Sequence, residues 1–184
     1  SLDNFVPGAN AELVARLREF RAGDFPEVIL YLWGETGSGK SHLLRACARP
    51  QVVDDVELLN EAAQIDLFKA INEARLSGGR VLAAGNAPPA QLPLREDLRS
   101  RLAWGLVYQV KPLTDAERSV FLRSEAARRG MQLADEVIAY LLTRVRRDLR
   151  SLTAILDRLD RASLEQQRPI TLSLVRETLK DTAG

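Results

Sequence analysis

Gly34-Glu35-Thr36-Gly37-Ser38-Gly39-Lys40-Ser41 has the spacing of a phosphate-binding loop, Gly-x-x-x-x-Gly-Lys-Ser. Its glycines let backbone N–H groups converge on phosphate oxygens with no Cβ in the way. The helix start behind them adds partial positive charge. Lys40 would reach the β- and γ-phosphates, and the Ser41 hydroxyl would ligate Mg²⁺. A second chemical stretch is Val52-Val53-Asp54-Asp55-Val56-Glu57, a short β-branched run closed by two carboxylates. Asp54 would hold the Mg²⁺ water shell, and Asp55 would orient an attacking water or polarise its neighbour. Asn86 ends the apolar run Arg80–Gly85. That is where a γ-phosphate sensor sits beside a phosphate-loop strand; an ordinary loop Asn before Pro88-Pro89 is the equal alternative. Arg95, Arg99 and Arg101 cluster on one short segment, as a solvated face or as the source of an arginine acting on another molecule. Arg150 falls in the first turn of a helix, where positive charge opposes the macrodipole. With Arg146 and Arg147 just before it, the placement points to an anionic partner such as a nucleotide phosphate; screening by Asp148 and Glu residues elsewhere is the other reading.

These groups need a scaffold, and the hydrophobic pattern supplies one. Val28–Trp33 reads as a buried strand feeding the glycine loop, and Leu43, Leu44, Ala46 and Cys47 as the helix after it. Asn10 is expected to N-cap a helix running to about Arg21. Ahead of it, Phe5 and Val6 would pack on a nucleotide base or on the core. Glu61–Leu76 predicts an amphipathic helix, Arg80–Gly85 a strand, Leu94–Leu102 a short charged helix, and Leu106–Val110 a last strand. From Pro112 the pattern is wholly helical. Thr114-Asp115-Ala116-Glu117 is a capping box, Asp135 and Asp148 open further helices, and Ser173 opens the last. The expectation is an α/β parallel sheet flanked by helices over residues 1–111, followed by a small all-α lid over 112–184.

One interval is too short. Lys40 and Asp54 leave room for little beyond a helix, whereas a parallel crossover takes a dozen or more residues. We therefore expect a missing segment near residues 48–51, with a true deletion as the other reading.

Composition bounds the rest. The chain has 184 residues, 46% of them apolar, and a net charge of +1. It can bury a core, and it carries no global field toward nucleic acid or membrane. The single cysteine, Cys47, excludes an internal disulfide and reads as a small buried hydrophobe. No apolar run is long enough to span a membrane, so a cytoplasmic protein is the expectation.

A phosphate-loop α/β domain with a helical lid resembles the AAA+ proteins. Leu2-Asp3-Asn4-Phe5-Val6-x-Gly8-x-Asn10 resembles the start of the nucleotide domain of DnaA and its relatives. Val52–Val56 resembles their Walker B, Asp97–Gly105 their arginine-finger box, and Arg147–Leu152 their sensor 2. Tyr31-Leu32-Trp33 and Leu156–Ser163, with Gln167-Arg168 and Thr171, are most similar to the Hda-type regulators of DnaA. The resemblance implies bound ADP or ATP with Mg²⁺, and DnaA as partner. It implies attachment to the DNA polymerase sliding clamp through an N-terminal peptide expected before Leu2, DNA contacted only indirectly, and a possible homo-oligomer. It assigns the nucleotide to Phe5, Val6, Gly34, Glu35, Thr36, Gly37, Ser38, Gly39, Lys40, Ser41, His42, Asn86 and Arg150. Ser41 and Asp54 would hold the metal, and Asp55 would be catalytic. Arg101 would be an arginine finger speeding hydrolysis of ATP on DnaA. Asn86 takes the sensor 1 place, where DnaA-like proteins often carry Asp. The other readings are a self-assembling ATPase such as a helicase loader, or a DnaA piece lacking its DNA-binding domain.

Overall fold

The computed structural model describes residues 2, 5, 7–47 and 51–180. The Val6 reading and most of the expected missing stretch at 48–51 lie outside them. The chain divides into two compact units, Ser1–Pro112 and Leu113–Gly184.

In the first unit, β1 (Ile29–Trp33), β2 (Val52–Val53), β3 (Val81–Gly85) and β4 (Leu106–Gln109) form one parallel sheet in the order β2-β3-β1-β4. Ile29 pairs with Val81, and Leu30 with both Leu82 and Leu106. Central strands of a parallel sheet are buried on both faces, which is why β1 and β3 read as unbroken apolar runs. Ile29, Tyr31, Val81 and Ala83 pack with Leu67, Ile71, Leu98 and Leu102 in one core cluster. Those last four belong to α3 (Glu61–Ser77) and α4 (Glu96–Ala103). By strand alternation Leu30, Leu32, Leu82 and Ala84 line the opposite face, where α2 (Lys40–Ala46) meets β3.

The first helix, α1 (Ala11–Ala22), corrects one expectation. The Asn10 side chain makes no cap hydrogen bond. Its amide instead donates to the Lys111 carbonyl at 2.9 Å, and its oxygen accepts from the Lys111 N–H at 2.8 Å. Asn10 is 3% exposed, and a buried amide is satisfied better by two backbone groups of a distant strand end than by one local cap.

The second unit holds α5 (Asp115–Arg128), α6 (Asp135–Arg144), α7 (Leu149–Gln166) and α8 (Leu172–Lys180). The capping box forms: Thr114 Oγ1 accepts from Glu117 N, and Glu117 Oε2 from Thr114 N. Leu152, Ile155, Leu156 and Leu159 make the buried stripe of α7. α5 packs on α6 and α7, and α8 on α6 and α7, so the unit is a four-helix cluster. No helix of the described residues is long and apolar enough to cross a membrane.

Candidate functional site

The glycine loop leaves the C-terminal end of β1. The Gly34 N–H donates to the Gly85 carbonyl at 3.3 Å and so ties the loop to the tip of β3. A Cβ at Gly34 would lie 2.6 Å from the Val110 carbonyl oxygen and 2.9 Å from Ser38 Oγ. Gly37 and Gly39 have φ of 84° and 103°, a region that side chains disfavour. The motif's glycines are therefore demanded by the loop's shape.

Lys40 opens α2 and is 8% exposed. Its ammonium donates to the carbonyls of Gly34 at 2.6 Å and Glu35 at 2.9 Å. Burial pulls its pKa down, while Asp54, Glu57 and Asp55 pull the other way. Ser38 Oγ is buried with no hydrogen-bond partner. An orphaned hydroxyl, a buried cation held only by loop carbonyls, and glycines where a Cβ cannot stand form a cradle that fits a polyphosphate. Glu35, Thr36 and Gly37 are exposed along the same loop, and Ser41 is half-buried.

Asp54 and Asp55 follow β2. Asp55 takes a left-handed backbone, φ 49°, and its N–H donates to Asp54 Oδ1 at 2.9 Å. The turn after it, Val56–Leu58, carries Glu57 back over the sheet tip. Glu57 Oε2 accepts from the Asn86 N–H at 3.2 Å, and a Cβ at Gly85 would meet it 3.0 Å away. Glu57 is thus a third carboxylate beside Lys40, and it holds the backbone at Asn86. The sequence reading stopped at the second Asp. The available signal was an acidic residue three positions after Asp54, one turn further on. Tyr31 is fully buried, and its hydroxyl donates to the Ala87 carbonyl at 2.6 Å. Burial, and then the Glu57 charge, push its phenol upward.

Phe5 is buried and stacks on His42, with ring centroids 5.9 Å apart at 26°. Cys47 is buried, its thiol pushed up to about 11 by burial. Among the described residues no three His, Cys, Asp or Glu side chains gather as a metal site. Ser41 and Asp54 would hold Mg²⁺ only with phosphate and water oxygens completing its shell.

Arg101 lies elsewhere. It sits in the last turn of α4, which leads through Trp104 and Gly105 into β4. β4 runs parallel to β1, so this junction lies at the N-terminal edge of the sheet, and the glycine loop at the C-terminal edge. A Cβ at Gly105 would strike the carbonyl of Ile29, the first residue of β1. One strand length, about 15 Å, separates the two edges. The Arg101 guanidinium carbon stands 3.8 Å from the Trp104 ring centroid and 5.3 Å from that of Phe68. Of its neighbours, Arg95 pairs with Asp97 at 3.0 Å, and Arg99 donates to the Ala90 carbonyl at 3.3 Å.

Arg150 is exposed in the first turn of α7. Asp148 caps that helix, accepting from Ser151 N and Ser151 Oγ, each at 2.8 Å.

Comparison with known proteins places this geometry. The family model of the Hda lid domain matches residues 115–179. An uncharacterised protein of Haemophilus influenzae is 32% identical, the match covering 97% of this chain and 93% of that protein. That alignment spans 215 positions, so more than thirty have no counterpart in this 184-residue chain. Domain III of the replication initiation protein DnaA from Thermotoga maritima superposes with a TM-score of 0.83 at 22% identity, over 98% of this chain and 95% of that one. AMPPCP-bound DnaA from Aquifex aeolicus gives 0.71 at 22% identity, over 85% of this chain and 63% of that one. On the full-length relative, the lid match and the shared fold, the chain belongs to the DnaA-related AAA+ proteins, of the Hda-like kind.

Proposed function

We propose that this protein is an adenine-nucleotide-binding regulator of replication initiation that stimulates hydrolysis of ATP held by DnaA. It keeps ADP or ATP on its own glycine loop and supplies Arg101 to the DnaA site, in concert with the sliding clamp. The observation that carries the reading is the placement of half-buried Arg101 at the sheet edge opposite the loop, remote from the chain's own phosphates. An arginine there serves another molecule's nucleotide. Such a group neutralises charge developing on the transferred phosphoryl and contributes about 10³–10⁵ in rate.

DnaA is the proposed partner because the lid matches the Hda lid domain and the fold is that of DnaA domain III. The AMPPCP-bound DnaA structure supports an adenine nucleotide. On this chain, the backbone of Gly34–Gly39 and the Lys40 ammonium cradle the phosphates, with Phe5 and His42 beside the base. Ser41 and Asp54 hold Mg²⁺, which when bound neutralises the phosphate charge. Asp55 orients water, and Asn86, fixed through Glu57, faces the γ-phosphate. Hydrolysis on this chain itself is slow. The clamp engages a peptide ahead of Leu2, and the protein works in the cytoplasm.

Single-turnover hydrolysis of ATP pre-bound to DnaA tests this. The protein, carrying its native N-terminus, is added with ADP, DNA and clamp, beside Arg101→Ala. Strong stimulation by the wild type and none by the variant is expected. No stimulation by either would sink the reading.

A further inference from the structure

We propose that the Trp104 indole is a positioning residue for Arg101: a shelf that sets the guanidinium at the surface before the partner arrives. This rests on the reading of Arg101 as the trans-acting arginine. Arg side chains are long and rotamer-rich, so an arginine that acts across an interface loses rate unless its fork is held beforehand. Arginines are commonly held by carboxylates, but among the described residues Arg101 makes no ion pair. A carboxylate would also neutralise the charge the reaction needs. What holds Arg101 is aromatic: Trp104 at 3.8 Å, with Phe68 of α3 at 5.3 Å. A π face orients a guanidinium and leaves its N–H donors free at the edge, open to phosphoryl oxygens.

The shelf is itself anchored. The Trp104 backbone N–H donates to the Arg101 carbonyl at 3.1 Å, closing the last turn of α4. Gly105 then presses against the backbone of Ile29 at a distance no side chain permits. The ring is thereby referred to the start of β1, while 55% of Trp104 stays exposed. Arg75 of α3 shares the same indole at 5.2 Å and is likewise without an ion pair. Two uncompensated cations on one ring repel each other, and an incoming polyphosphate relieves that repulsion. In the partner's site, water adds to the γ-phosphorus and the bond to the bridging oxygen breaks, giving ADP and phosphate. The negative charge that builds on the departing oxygens is what a preset Arg101 meets.

The experiment is a double-mutant cycle in the DnaA single-turnover assay, with full chains of wild type, Trp104→Ala, Trp104→Phe, Arg101→Ala and the Arg101→Ala/Trp104→Ala pair, each titrated to saturation. Because Trp104 is exposed, all should melt within a few degrees of wild type, about one substitution's worth. The expected result is a fall of about five- to thirtyfold in the saturating rate for Trp104→Ala. Partial recovery is expected with Phe, and no further loss when Trp104 is removed from Arg101→Ala. A saturating rate unchanged by Trp104→Ala, with only the half-saturating concentration raised, would make Trp104 a mere contact and overturn the proposal. So would an equal loss in the Arg101→Ala background. Wild type that fails to stimulate at all overturns the parent reading, and the shelf with it.

Discussion

The charge on Lys40 is under opposing forces. Burial works against its charge, while Asp54, Glu57 and Asp55 favour it and two loop carbonyls accept hydrogen bonds from it. Those carbonyls are weak substitutes for phosphate oxygens, which offer full negative charge. Lys40→Ala should therefore leave the fold intact and remove nucleotide binding. Wild type with ADP at about a hundred times its dissociation constant gains about 2.7 kcal/mol. That is roughly 5–10 °C in melting temperature for a chain of this size. Lys40→Ala should show almost no shift in the same scan, and a full shift would remove Lys40 from the site. The loop residues were legible in the sequence because the motif is contiguous and each member has one physical job. Glu57 was not, because its place depends on the left-handed turn at Asp55, a conformation that Asp adopts rarely and only in context. Trp104 and Phe68 were missed for a related reason: their value to Arg101 lies in ring geometry between two helices, which no spacing rule encodes.

At the scale of elements, caps and periodicity served well where a helix end is solved locally. Thr114 and Asp148 both cap as their sequence neighbours suggest. Asn10 does not, because a buried amide finds Lys111, 101 positions away. The Asp148 cap carries a pH signature. Burial raises its pKa, but hydrogen bonds from the Ser151 N–H and hydroxyl, with Arg146 nearby, outweigh burial and hold it below the ordinary 3.8. A carboxylate whose folded pKa is depressed stabilises fully above its unfolded value and loses that contribution as pH falls through the folded one. Asp148→Ala should cost about 1 kcal/mol at neutral pH. Asp148→Asn keeps a cap oxygen and should cost little there, while removing this site's acid sensitivity. Denaturant melts at neutral pH and at about pH 3 would read this as a wild-type advantage that shrinks with acid. An advantage constant across that window would mean the cap acts through geometry alone. The link between α2 and β2 is the element the sequence flagged as too short. β2 is a half-buried two-residue strand at the edge of the sheet.

For the whole molecule, the polarity of the sheet is what divides the work. Every strand runs the same way, so whatever follows β1 and whatever precedes β4 stand at opposite ends. The cradle belongs to the first kind and Arg101 to the second, so on the proposed reading Arg101 serves a site on another molecule. Two arrangements remain: copies of this chain completing one another, or this chain completing DnaA. They differ in a mixing experiment. Lys40→Ala lacks the cradle and keeps the finger; Arg101→Ala lacks the finger and should keep wild-type ADP affinity, since the substitution lies a strand length away. If copies serve one another, the mixture regenerates some intact junctions, and ATP hydrolysis rises above that of either variant alone. If the finger is meant for DnaA, the mixture stays as slow as its parts. DnaA-bound ATP is then turned over in proportion to the fraction of chains bearing both Arg101 and the nucleotide-loaded fold. We expect the second outcome. Recovery of ATP hydrolysis in the mixture, without DnaA present, would reassign this protein to the self-assembling ATPases.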